Sequence, residues 1–267
     1  MINSRFFLDG IGDVIEAFRL WRLWIFWGWL DVRQRYRRTL FGPFWVTLTM
    51  AISILAIGLI YSYLFQQDIK EYLPYVATGF ILWALIAGFI GEACLVFIQN
   101  EGFLGQLKIP YLVYLLRLLW RYAIFFVHHI VVLFIVLMIF VDIQFSMLLG
   151  AAFGLMALFV NIFWMGLLLG LLSVKLRDLP MLISTFLQLL FMITPVIWPA
   201  KALGSRINLA EFNPVYHLLE CVRAPLLDAT TNVLNSHLLI SLFMALVGMI
   251  FTFIIYSVWK RHLLYWL

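Results

Sequence analysis

The sequence predicts an all-α membrane protein: six transmembrane helices, an N-terminal interfacial amphipathic helix, and short outer-face helices between spans five and six. Three observations carry this. The 267 residues are 65% hydrophobic and 12% charged, with a mean hydropathy of +1.04, more apolar surface than a water-soluble fold hides. The apolar residues fall in runs that reach the ~20 residues a helix needs to cross a bilayer. The basic residues behind the net charge of +5 sit at the ends of those runs, which reads as topology and lipid headgroup contact and argues against a nucleic-acid partner.

In chain order, Ile11 to Leu30 is not a span. Val14, Phe18, Trp21, Ile25 and Trp29 recur at helical spacing, Trp24 and Trp27 broaden that side, and Asp13, Glu16 and Arg19 fall elsewhere. This predicts a helix lying in the interface with its indoles at headgroup level. The acids Asp9, Asp13 and Glu16 and the lack of a small-residue cleavage site argue against a signal peptide, so the chain is expected to be inserted whole. Arg33, Arg35, Arg37 and Arg38 come next, and Gly42 and Pro43 open the first apolar run. A dense basic cluster beside a span holds its side of the chain in the cytoplasm.

The runs extend from about Phe44 to Phe65, Tyr72 to Ile98, Tyr122 to Val141, Phe145 to Val174, Leu182 to Trp198 and Leu238 to Trp259. Six crossings place both termini in the cytoplasm, and that assignment puts 14 of the 18 Lys and Arg inside while the acids divide six and six, with Glu92 in the membrane. Such asymmetry in Lys and Arg alone is what the positive-inside rule expects. The chain is thus one domain, 1–267, made of a cytoplasmic segment 1–43 with the interfacial helix, a six-span region 44–259 and a tail 260–267.

Two connections are more than turns. Between spans two and three, Asn100 is placed to cap a short helix that Pro110 would stop, a knob suited to a docking partner, and the chain becomes helical and apolar again from Tyr111. Between spans five and six, Pro195 and Pro199 break the helix at membrane depth, and Asn213 with Pro214 starts another short helix. Irregular backbone at that depth needs protein or water around it.

Catalytic chemistry is not gathered anywhere. Glu92, the one acid within a span, reads more readily as a structural or snorkelling contact than as a reactive group. His128 and His129 are adjacent and point to different helix faces, and Cys94 and Cys221 lie too far apart in depth to pair, so no metal site or disulfide is expected. Gly150 with Gly154, and Gly166 with Gly170, have the four-residue spacing of close helix packing. No phosphate-binding Gly-x-x-x-x-Gly-Lys-Ser/Thr loop occurs, so ATP, if it is used, is hydrolysed on another chain. Among the 25 Phe, 11 Tyr and 11 Trp, Trp45, Tyr61, Trp83, Tyr122 and Trp164 are candidates to line a conduit, where flat rings pack on sugar C–H surfaces.

The run from Arg35 to Trp45, Arg-Tyr-Arg-Arg-Thr-Leu-Phe-Gly-Pro-Phe-Trp, resembles the signature before the first span in permease subunits of type-2 ATP-binding-cassette exporters of surface polysaccharides, most closely the O-antigen exporters. That family usually carries Leu where this chain has Phe41, a swap of one large apolar residue for another. Thr194 to Pro199 and Asn213 to Arg223 resemble the wider exporter superfamily, and the likeness runs along the whole chain.

The resemblance implies a homodimer in the bacterial inner membrane with two ABC ATPase subunits below it. Membrane lipids and a lipid-linked polysaccharide would be further partners, and ATP and Mg would sit on the partner chain with no cofactor in this one. By the same resemblance, Asn100, Glu101, Phe103, Leu104, Gln106 and Leu107 would couple to the ATPase. Pro195, Trp198, Pro199, Asn213 and Pro214 would belong to an outer gate, and Arg33, Arg35, Arg37 and Arg38 would meet the lipid diphosphate, whose oxygens a guanidinium grips bidentately. A capsular polysaccharide or teichoic-acid exporter of the same fold is the nearest alternative. From another class, a membrane-embedded glycosyltransferase or acyltransferase would need the clustered acids or histidines that are missing.

Overall fold

The structure, a computed structural model, describes residues 4–206, 208–228 and 230–267, and among these every regular element is a helix. The N-terminal stretch forms two helices in place of the single one expected, Ser4–Arg19 (α1) and Trp21–Arg35 (α2), broken at Leu20. The amphipathic pattern is strong in α1 and nearly absent in α2, because α2 buries one side and exposes another that is equally apolar. Trp24 and Trp27 turn inward onto Trp120 and Tyr114, while Trp21, Phe26 and Trp29 face outward.

Helices Phe44–Leu64 (α3) and Ile69–Ala93 (α4) follow. Asp68 starts α4 by accepting from the Lys70 N–H at 2.9 Å, ahead of the apolar run itself. The chain then leaves α4 at Cys94, short of the expected Ile98, through a 3₁₀ turn (Ile98–Asn100) and one turn of helix, Glu101–Leu104 (α5). Leu112–Phe140 (α6) starts where helix is expected after Pro110, at Tyr111, and runs unbroken into the apolar run expected from Tyr122. Its first turns tolerate Arg117 and Arg121 because acids on α2 and α4 neutralise them.

Phe145–Lys175 (α7) matches its run. Leu179–Ile193 (α8) does not: it stops after 15 residues, or about 22 Å at 1.5 Å per residue, against a hydrocarbon core of ~30 Å. Pro195 is the cause, since the residue before a proline is forced out of the helical region, and Thr194 is extended (φ −83°, ψ 136°). A 3₁₀ segment, Ala200–Arg206, leads to Asn208–Glu211 (α9), Pro214–Leu227 (α10), Ser236–Trp259 (α11) and Leu263–Trp266 (α12). Among the described residues, five helices, α3, α4, α6, α7 and α11, are therefore long and apolar enough to cross a membrane.

The bundle is centred on α4, whose apolar window is 72% buried, whereas that of α3 is 22% buried and α8 buries no residue at all. α4 packs on α3, α6, α7, α8 and α10. α10 is enclosed by α4, α7 and α11, and the four-residue glycine spacing explains how. A Cβ on Gly154 would strike the backbone of Cys221, one on Gly150 would meet Pro225, and one on Gly170 would sit 2.8 Å from the Ala93 carbonyl. Small residues here let helix backbones touch. Asn161, fully buried in α7, fixes α11 by donating to the Ser241 carbonyl at 2.8 Å.

Candidate functional site

The four arginines ahead of α3 are sorted by helical phase. Arg33 and Arg37 lie four residues apart and, with Trp29, Val32, Tyr36 and Pro43, line a cavity of about 530 Å³. Arg35, two residues off that phase, leans toward α4 and α6 while staying half exposed. There it meets Glu92 at 3.4 Å, lies over the Phe125 ring at 5.5 Å, and edges a second cavity of about 210 Å³ with Tyr36, Tyr122 and His129. Arg38 occupies a turn in the left-handed region (φ 72°), as does Gly42 (φ 54°). Among the described residues, no acid lies within ion-pair reach of Arg33, Arg37 or Arg38. Their charge is free for a ligand or headgroup. Burial raises the pKa of the Tyr36 hydroxyl, with Arg35 countering part of the effect, so it stays a neutral donor beside the guanidinium groups.

Behind this ledge lies an ion network that sequence reasoning missed. Arg117 grips Asp31 with two hydrogen bonds, 2.7 and 2.5 Å, and Arg121 reaches both Asp31, at 3.5 Å, and Glu92. The Tyr122 hydroxyl donates to Glu92 at 2.9 Å. The network ties the last turn of α2 to the C-terminal end of α4 and the first turns of α6. Gly28 lets α2 approach, since a Cβ there would lie 2.9 Å from the Arg117 carbonyl. The signal in the sequence was Arg117 and Arg121, spaced to share one face of an otherwise apolar helix.

The expected coupling residues surround α5. Asn100 does not cap it: its amide donates backward to the Val96 carbonyl at 2.7 Å, closing the exit from α4, and Gly105, not Pro110, ends the helix. Glu101, Phe103, Gln106 and Leu107 are exposed while Leu104 is buried at 4%. Asn100 and Phe103 also share a polar cavity of about 300 Å³ with Asp31, Glu92, Arg117 and Arg121. The exposed turn and the ion network are therefore neighbours.

At the other end of the bundle, the proline-broken segment is held by side chains. Tyr72 donates to the Ile197 carbonyl at 2.6 Å, and Tyr75 lies 3.1 Å from the carbonyls of both Pro195 and Trp198. Asn213 joins the two expected gate stretches: its amide donates to Thr194 at 2.7 Å, and its carbonyl accepts from the Val215 N–H, with Pro214 at the first position of α10. Trp198 donates to the Met192 carbonyl at 3.0 Å. Beneath them Arg223, 1% exposed, pairs with Glu220 and lies 3.9 Å from the Tyr75 ring.

A family match decides what this helical bundle is. The ABC-2 type transporter family matches residues 23–227, from α2 through α10. The chain belongs to that family. It is a multi-pass membrane protein and the transmembrane subunit of an ABC exporter, a transport subunit rather than an enzyme, and membership implies an ABC ATPase as partner. A search of the curated proteins found no match.

The five aromatics expected to line a conduit in this ABC-2 permease are not gathered in one place within a single chain. Trp45 is 37% exposed and packs on Phe41, while Tyr61 packs on Phe65. Trp83 is buried against Phe191, Tyr122 belongs to the inner network, and Trp164 donates to Asn161 and fills the space beside Gly248. Among the mostly apolar side chains exposed on the helices are a few polar ones, Ser184, Thr185 and Gln188 on α8 and Thr49 on α3. The hydroxyls of Ser184 and Thr185 turn back to the Met181 carbonyl.

Proposed function

We propose that this ABC-2 permease exports a lipid-linked O-antigen polysaccharide across the bacterial inner membrane, as a homodimer with two ATPase subunits. The observation that carries the reading is the pairing of Arg33 and Arg37 with Trp29 and Tyr36 around one cavity. Two unpaired guanidinium groups suit a diphosphate, and the rings beside them suit the first sugar. Arg35 serves a different purpose here, holding the ledge to Glu92.

The cavity shared by α5 and the ion network supports a route for coupling. An ATPase docked on Glu101, Phe103, Gln106 and Leu107 would move α5, and the pairs of Asp31, Glu92, Arg117 and Arg121 would carry that motion to the last turn of α2. ATP shifts the permease only by its different affinity for the two states. Both termini are cytoplasmic in this reading. α8 completes the sixth crossing with the irregular Thr194 to Trp198, whose carbonyls Tyr72 and Tyr75 satisfy. In the dimer the polar side of α8 faces the path of the polymer.

The test uses the permease co-expressed with its ATPase in lipid nanodiscs. Hydrolysis is expected to respond to added lipid-linked polymer, and the Arg33→Gln/Arg37→Gln variant is expected to keep the complex and basal hydrolysis while losing that response. A full polymer response in the variant overturns the assignment.

A further inference from the structure

A cavity of about 380 Å³ lies between α1, α6, α7 and α11, lined by Val14, Ala17, Phe18, Leu116, Phe163 and Phe253 among others. That is roughly a dozen times the ~30 Å³ share of one liquid water. Water has nothing to hold there. The two hydroxyls on its wall are committed elsewhere, Tyr256 to Asp13 at 3.0 Å and Thr252 to the Trp164 carbonyl at 3.5 Å. A large apolar cavity stays dry and takes an apolar guest. Its rim reaches the outside of the bundle, where Phe18 is 58% and Val160 41% exposed.

The charges near the rim select the guest. Of the acids on α1, Asp13 is paired with Lys260 at 2.7 Å and Asp9 with Arg261 at 2.5 Å. Arg19 and Arg22 bracket the break at Leu20, immediately after Phe18, and among the described residues neither has an acid within ion-pair reach. With Glu16 the one remaining acid on α1, the balance around the break is positive. We infer that this groove holds an acyl chain of an anionic phospholipid, with Arg19 and Arg22 at its headgroup. The site rests on the topology proposed above only for which leaflet supplies the lipid. Its occupant would pin α1 to α6, α7 and α11.

The experiment uses the full-length permease, purified in detergent and delipidated, then titrated with phosphatidylglycerol or phosphatidylcholine of identical chains and read by native mass spectrometry. The expected result is one retained phosphatidylglycerol per chain, with phosphatidylcholine about tenfold weaker because it lacks the net charge that two arginines attract. Val160→Trp at the rim, and Leu116→Trp deeper in, should remove both lipids, while Leu189→Trp on α8 should remove neither. Arg19→Gln/Arg22→Gln should bring phosphatidylglycerol down to the phosphatidylcholine level. Equal retention by the wild type and a correctly eluting Val160→Trp variant overturns the site, and equal affinity of the wild type for the two lipids overturns the headgroup assignment. Neither polymer nor ATPase is present, so failure here is distinct from failure of the exporter reading.

Discussion

Removing Glu220 should destabilise the end of the permease around α10 sharply, and the size of the effect can be worked from the site. Arg223 is 1% exposed and Glu220 12%, with Arg223 Nε donating to the carboxylate at 3.1 Å. Solvent therefore does little to screen the pair. Breaking a buried pair by deleting one partner costs about 3–5 kcal/mol, because the other charge stays buried and uncompensated. The Tyr75 ring, 3.9 Å from the guanidinium carbon, remains in Glu220→Ala. A desolvated cation–π contact of ~2 kcal/mol moderates the loss toward the lower figure. At roughly 2–4 °C per kcal/mol for a chain of this size, a loss near 3 kcal/mol lowers the melting midpoint by about 6–12 °C. Glu220→Leu with Arg223→Met, which removes both charges, should recover most of it. Thermal denaturation in one detergent, followed by fluorescence-detected size exclusion, measures both. A Glu220→Ala midpoint within about 2 °C of wild type, or a double variant as unstable as the single, refutes the reasoning.

Three further predictions use the same melting assay. Thr194→Val takes the 2.7 Å acceptor from the buried Asn213 amide and should cost about 1–3 kcal/mol, whereas Thr194→Ser should cost little; equal midpoints would detach Asn213 from the proline-broken segment. Gly154→Leu should abolish the folded peak because its Cβ meets the Cys221 backbone, while Gly12→Leu, with nothing within 4 Å, should leave it intact. Arg38→Gly should stabilise the turn by about 1 kcal/mol by relieving a left-handed conformation, and Arg38→Lys should not; if both behave alike, charge and not backbone governs that position.

Hydropathy made most of the fold legible, and its failures were local. α3, α7 and α11 begin and end within two residues of their apolar runs. The stop of α8 was legible in Pro195, which withdraws the backbone from the helix, although hydropathy alone carries the apolar run on to Trp198. The helix from Tyr111 was legible too; what hid its continuity with the apolar run from Tyr122 was Arg117 and Arg121, which Asp31 and Glu92, distant in sequence, neutralise. No periodicity within one segment reveals such a partner. The sorting of the arginines, by contrast, was available to a reader of phase, since Arg33 and Arg37 share the side of Trp29 and Arg35 does not. The conduit aromatics were not, because facing lipid, neighbour or lumen depends on the tertiary contacts that place each ring.

The two ends of the permease are held with different strength, which bears on how the proposed exporter would work. The inner pairs are partly in contact with solvent: Arg35 and Glu92 are 54% and 36% exposed, Arg117 and Asp31 27% and 13%. Pairs at the exposed end of that range are worth about 0–1 kcal/mol each. In the proposed exporter they would exchange partners as α5 moves. The outer pair is buried, and its tyrosines and Asn213 hold a backbone that has no helix of its own. A few kcal/mol of differential affinity on the ATPase would therefore rearrange the inner ledge before it could open the outer segment. If the substrate is lipid-linked as proposed, that order would admit its head at the α5 end while the proline-broken end is still closed, as alternating access requires.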